Sequence, residues 1–225
     1  MDTKEIIKEI ESITNKKNPE FLKKVTNTKL DCFGLYSKDI DFLIKSYKNE
    51  NVDSFDLNLY YEINFIYFAI KLKQIKHLEE QIDFIIDKAN FIDSWAITDS
   101  TYQSIEVRSF EEELPFIYRL LNSGKTYAIR YGYLLLFNYK KSEKVMHVPF
   151  IFRNSDEYYI QMVEAWLLAE LFIFNPDVVY KFFVEADLMY EIKRKAIQKI
   201  CDSYRVSDEY KEKVKALRKT LKNKM

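Results

Sequence analysis

The sequence predicts an all-α protein built of stacked antiparallel helix pairs, and three observations predict it. Glycine and proline number only three and four in 225 residues, too few turn-formers for a many-stranded β protein. Apolar residues recur at helical spacing along most of the chain, with no sustained strict alternation. Polar punctuation then divides the chain into segments of about 10 to 20 residues, the usual span of a globular helix.

The opening MDTKEIIKEIESI is amphipathic and starts a helix rather than a secretory leader. Asn18-Pro19 begins the next, with proline in its favoured first turn. Phe33-Gly34 breaks the chain before Ser37-Lys38-Asp39, where Ser37 is the expected cap. Asp56–Lys73 is apolar on nearly every side, which predicts a central helix touched on both faces. Within Leu78–Phe91, Leu78, Ile82, Ile85, Ile86 and Ala89 form one buried stripe. Asn122-Ser123-Gly124 closes a helix, and Lys125–Lys140 makes the following one. The longest apolar run, Ala165–Phe174, contains Glu170 and is about half a membrane span, so it reads as core. Asn175-Pro176-Asp177 and Ser207-Asp208-Glu209 start further helices, and Leu188, Ile192, Ala196 and Ile200 step by four between them. The expectation is about twelve helices with short connections, hence antiparallel neighbours, in one domain spanning 1–225. A solenoid of helix pairs is compatible with this periodicity, although no repeat is visible in the sequence itself.

Composition narrows the function classes. Hydrophobic residues make up 48% and charged residues 31%, the balance of a folded globular chain. Lys+Arg and Asp+Glu are equal at 35 each, but unevenly placed. From Glu191 to Met225, twelve Lys/Arg stand against five Asp/Glu. The basic last helix, about 207–225, is either a solvated face or a surface for an anionic partner. Cys32 and Cys201 are the only cysteines and form no CxxC or Cys/His spacing, which places the chain in a reducing, cytoplasmic setting. No membrane association is expected.

Most chemical motifs fail on inspection. Ser123-Gly124-Lys125-Thr126 lacks the earlier glycine of a phosphate-binding P-loop, position 119 being Arg, and follows a helix rather than a strand. His77 and His147 have no acidic or thiol neighbours at ligand spacing, so they are read as surface residues and no metal is expected. Neither cysteine has a histidine nearby to activate it.

Three sites keep more than one reading. Trp95 and Asp99 share a helix face at i and i+4. Such a pair can receive a cationic or sugar-like group, or it can be a packed indole beside a capping or salt-bridged carboxylate. Arg130 sits in the aromatic, apolar stretch Lys125–Tyr139, where it is either paired with an acid or turned to hold a phosphate. Trp166, preceded by Glu164, lies in a second apolar helix, where an indole is more often core than site.

In order along the chain, these pieces resemble the AlkD-like DNA alkylation repair family, HEAT-like-repeat DNA glycosylases. The resemblance runs from about Asn18 to Ser207. It rests on Phe33-Gly34-Leu35 before a helix, Ser94-Trp95 with Asp99, and Arg130 before Phe137-Asn138-Tyr139. It continues through Tyr159-Ile160-Gln161 leading to Trp166, then Asn175-Pro176-Asp177-Val178-Val179, and ends on Arg194–Ile200. The resemblance implies a superhelical solenoid that removes cationic alkylated purines, such as 3-methyladenine and 7-methylguanine, from duplex DNA by hydrolysing the N-glycosidic bond. It implies Asp99 as the catalytic carboxylate, Trp95 and Trp166 as aromatic faces flanking the deoxyribose, and Arg130 as the DNA-backbone contact. Tyr36 and Lys38 fall with Arg130 on the DNA side. No cofactor is implied, and the expected molecule is a monomer working on a bacterial nucleoid.

The chemistry agrees with the residue types. An alkylated purine already carries positive charge and leaves readily, so the protein's task is to stabilise an oxocarbenium-like sugar and place water. A carboxylate beside the sugar serves both, and indole faces attract positive charge. The chain departs from the family pattern at Met162 and Ala169, where Lys and Arg are common, and at Tyr36, where Gln is common. The alternative reading is a non-catalytic member that binds damaged or branched DNA or a protein, and a third is a helical scaffold without a DNA role.

Overall fold

The structure, a computed structural model, describes residues 1–149 and 151–222. Twelve α-helices occupy the described residues: α1 (Thr3–Ser12), α2 (Pro19–Thr26), α3 (Ser37–Ser46), α4 (Tyr61–Gln74), α5 (Leu78–Lys88), α6 (Trp95–Thr101), α7 (Phe110–Leu121), α8 (Thr126–Leu136), α9 (Tyr158–Phe174), α10 (Pro176–Glu185), α11 (Tyr190–Asp202) and α12 (Asp208–Lys222). Short 3-10 turns extend α5, α6 and α8. Among the described residues there is no strand, only an isolated bridge between Asp31 and Tyr60. The all-α expectation holds, with helix packed on helix throughout. None of the described helices is long and apolar enough to cross a membrane.

The helices fall into two compact units. Residues 1–109 with 123–131 form one, and residues 110–122 with the chain from Gly132 onward form the other. In the first unit, α4 packs against α3 and α6 and buries ten of its fourteen residues. That accounts for its lack of a polar face. The helix begins at Tyr61, not at Asp56 as the apolar pattern predicts. The Asp56 carboxylate accepts the Asn58 N–H at 3.0 Å, folding a local turn that competes with helix. The Tyr61 N–H then donates to the Asp31 carbonyl at 2.9 Å.

Helices α1, α2 and α6 carry a side-chain cap, whereas Asn175 at the head of α10 makes none. Asp2 and Glu5 form a reciprocal capping box on α1, and Asn18 accepts from Glu20 and Phe21 at the head of α2. Ser37 is a correction. It is the first residue of α3, Tyr36 occupies the cap position, and no side chain caps the helix there. The cause lies upstream. The buried Glu62 carboxylate accepts three successive N–H groups, from Phe33 at 3.0 Å, Gly34 at 2.8 Å and Leu35 at 3.2 Å. That grip sets how the chain enters α3.

In the second unit, α9 lies against α10 and α11, and α11 against α12. Eleven of the seventeen residues of α9 are buried, so the long apolar run is core as expected. The stripe Leu188, Ile192, Ala196, Ile200 is buried too. Gly132 brings α8 close to α7, since a Cβ there would lie 3.1 Å from the Leu121 side chain. In α12 the buried Val214 and Leu217 share the helix with exposed pairs such as Lys213–Glu209 at 2.8 Å. Residues 223–225 at the end of the expected basic helix lie outside the described residues.

Candidate active site

The site is assembled from α6 and the start of α8, both in the first unit. Ser94 caps α6 through a 3.3 Å bond from the Ala96 N–H, and its own hydroxyl donates to the Thr26 carbonyl at 2.8 Å. One residue earlier, Asp93 accepts from the Thr28 hydroxyl at 2.8 Å and the Lys29 N–H at 2.7 Å. The turn after α2 therefore anchors the point where α6 begins. Trp95 is the first residue of that helix and is half-buried.

Asp99 stands one turn on and meets Arg130 side-on. The guanidinium Nε donates to Oδ1 and Nη2 to Oδ2, each at 2.7 Å. The pair is largely enclosed, with side-chain exposure of 5% for Arg130 and 15% for Asp99. The Thr98 hydroxyl donates to the Trp95 carbonyl at 2.8 Å and lies 3.1 Å from Asp99 Oδ1. Beneath, the Thr101 hydroxyl donates to the Ile97 carbonyl at 2.7 Å and shares a hydrogen bond with the Tyr131 hydroxyl, 2.5 Å away. Burial holds that phenol neutral, well above its ordinary range. Of the two sequence readings of Arg130, pairing with an acid is the one observed, and its partner is the candidate catalytic carboxylate. The result is a carboxylate held in place one turn along α6 from the half-buried Trp95, an arrangement that can face a developing cation without reorganising.

The other predicted residues divide between the units. Tyr36 is half-buried and Lys38 exposed. The Tyr36 ring has Lys17 Nζ at 5.1 Å and Lys38 Nζ at 5.9 Å from its centroid, a basic, aromatic patch in the first unit. Trp166 belongs to the second unit, where its half-buried ring meets Phe137 edge-on at 4.6 Å. Met162 is half-buried on the same helix, and Ala169 is only 5% exposed.

The structure supplies reasons for the rejected motifs. Gly124, at φ 70°, follows α7 rather than a strand, and Lys125 Nζ donates to the Ile86 carbonyl at 2.6 Å, on the last turn of α5. His77 and His147 are exposed. Burial, followed by the charge of Glu62, pushes the Cys32 thiol up to about 12, far from a nucleophilic thiolate. Among the described residues, no group of three or more His, Cys, Asp and Glu is placed to hold a metal ion.

Sequence reasoning missed Glu62, Asp93 and Tyr133. Glu62 is a lone acid in an apolar helix, a signal in retrospect that it binds buried N–H groups. Glu164, beside Trp166, is of the same kind. It receives the Arg153 N–H at 2.8 Å and contacts the Tyr133 hydroxyl, and its burial raises the carboxyl above its ordinary range. Asp93 is distinguished by nothing in the sequence, because its partners lie more than sixty positions away.

No curated protein matches this chain. A family model described as DNA alkylation repair enzyme does, over residues 6–200. That span takes in α6, α8 and α9 with all the residues placed above, so the chain belongs to the DNA alkylation repair enzyme family.

Proposed function

We propose that the chain is a DNA glycosylase that excises positively charged alkylated purines, 3-methyladenine and 7-methylguanine among them, from duplex DNA. The observation that carries this reading is the Asp99 carboxylate, fixed by two 2.7 Å bonds from Arg130 and presented one turn from Trp95. The alkylated base leaves as a neutral molecule. The carboxylate offsets the positive charge gathering on the sugar and orients the attacking water, and the indole face adds attraction of about 0.5–2 kcal/mol. Arg130 holds Asp99 in place through both oxygens, so its bond to the DNA backbone is made in addition to, or in exchange for, that pairing. Trp166 takes its part as the second aromatic face on the resemblance alone, and Tyr36 and Lys38 are assigned to the DNA backbone. On this reading 1–225 acts as one functional domain and as a monomer.

The test is release of free 7-methylguanine from methylated duplex DNA. Wild-type protein should release it, and Asp99→Asn should lose at least about a hundredfold in rate, the scale of removing one transition-state charge partner, with an unchanged circular dichroism spectrum. Equal rates would remove Asp99 from the mechanism.

A second reading draws on the enclosed Arg130 and on Met162 and Ala169, where Lys and Arg would otherwise meet phosphates. It makes the chain a binder of damaged or branched DNA without chemistry. Tight, salt-sensitive binding with no released base would favour it.

A further inference from the structure

The helix that carries Trp95 and Asp99, α6, has only seven residues. Isolated helices under about 12–15 residues are marginal in water, so the setting of α6 depends on what grips it. At its head, the Ser94 hydroxyl donates to the Thr26 carbonyl at 2.8 Å. At its last residue, the Thr101 hydroxyl donates to the Ile97 carbonyl and shares a 2.5 Å hydrogen bond with the Tyr131 hydroxyl of α8. Asp99 lies between these two anchors. Arg130, the residue before Tyr131, holds it through both oxygens.

Neighbouring residues of α8 are thus bonded to α6 at two points, Arg130 to Asp99 and Tyr131 to Thr101. The two bonds are not redundant. Side chains two positions apart leave a helix about 200° apart around its axis, and adjacent ones about 100° apart. A rotation of α6 that suits one bond therefore strains the other, and together they fix a single setting of α6 on α8. Tyr131 is wholly buried and Thr101 nearly so, at 0% and 1% exposure. Water does not compete for their bond, and a substrate does not touch it.

We infer that Tyr131 is a positioning residue, whose hydroxyl acts through Thr101 to set the Asp99 carboxylate at the angle the reaction uses. The inference rests on the glycosylase reading proposed above. It adds a residue that meets neither the DNA nor the reacting atoms. Its effect falls on the chemical step, because a displaced carboxylate no longer faces the sugar, while Tyr36 and Lys38 at the head of α3 stay where they are. Misplacing a reacting group by about 1 Å costs up to about a hundredfold in rate.

Three measurements on the full chain test it. They are single-turnover release of 7-methylguanine from methylated duplex DNA, affinity for the unalkylated duplex by fluorescence anisotropy, and exchange of the Arg130 Nε–H by NMR without DNA. Tyr131→Phe removes only the hydroxyl. It should slow release about tenfold and leave affinity within about twofold. Exchange of the Arg130 Nε–H should quicken about tenfold, because the Asp99–Arg130 pair opens more often. Thr101→Val should do the same from the other side of the bond, and it stands in if Tyr131→Phe does not fold. Thr101→Ser, which keeps a hydroxyl, should recover most of the rate. Release by Tyr131→Phe at the wild-type rate overturns the inference and leaves the glycosylase reading in place. So does slowed release with unchanged Arg130 exchange, or a loss that lies wholly in affinity. No release by the wild type removes the glycosylase reading and the inference with it.

Discussion

Arg130 on α8 grips both oxygens of Asp99 on α6, two parallel 2.7 Å bonds between side chains 5% and 15% exposed. Thirty-one positions apart in sequence, the two groups behave as one unit. An enclosed ion pair of this kind adds little net stability, yet removing one partner alone is costly. Arg130→Ala strands a carboxylate and should cost about 3–5 kcal/mol of stability. Arg130→Lys keeps the charge but loses the planar fork, and should cost about 1–3 kcal/mol. Urea unfolding of the two variants tests the order, and in both, base release should fall further than stability explains.

Gly34 and Gly124 both have positive φ, 86° and 70°, yet they differ in surroundings. A Cβ at Gly34 would lie 2.2 Å from the Lys17 carbonyl oxygen, while one at Gly124 meets nothing within 4 Å. Gly124→Ala should therefore cost only the backbone strain, about 1 kcal/mol. Gly34→Ala should cost well over that, because the 2.6 Å bond from the Lys17 N–H to the Gly34 carbonyl has to give way. Thermal unfolding of the pair separates strain from collision.

Glu62 holds the turn that leads to Tyr36 and Lys38. Glu62→Gln replaces an oxygen with an NH₂ group facing backbone donors, and should destabilise by about 2–4 kcal/mol, a charged acceptor lost from buried N–H groups. Hydrogen exchange should show the loss first at the N–H groups of Phe33, Gly34 and Leu35. Uniform loss of protection across the first unit would instead mean that Glu62 supports α4 itself.

Two glutamates of α9 should respond to pH with opposite sign. Burial raises the Glu170 carboxyl, but bonds from Arg205 and Lys140 outweigh that and hold it below the ordinary 4.5. Its stabilisation is complete above that value and drains away as pH falls below it. Glu170→Gln should thus be less stable than wild type at about pH 7, with the gap closing as pH falls below 4.5. Glu164 lies above 4.5, chiefly through burial, so the unfolded chain loses its proton first as pH rises. Glu164→Gln should gain stability relative to wild type as pH rises above 4.5. Denaturant melts on both sides of that pH, repeated for both variants, check the two signs.

The helices themselves were legible because each is a local pattern. The stripes of α5 and α11 and the Asn18 cap need only neighbours within a turn or two. Errors arose where a distant group intervened. Asp31 receives the N–H that begins α4, and Glu62 sets the entry to α3, so a start predicted at Asp56 moves to Tyr61 and a cap predicted at Ser37 is not used. Trp95, Asp99 and Arg130 were each visible as unusual residues in helical segments. The readings open to them could not be separated from the sequence.

Sequence by itself determined an all-helical chain, its apolar stripes, and the residues that tie it to the DNA alkylation repair enzymes, because periodicity and ordered motifs survive in one dimension. Only tertiary structure decided that Arg130 is spent on Asp99, and that Asp93 and Ser94 moor the start of α6 to the turn after α2. Hydrogen bonds and cavities belong to groups brought together from remote positions, and no spacing along the chain encodes which donor will meet which acceptor.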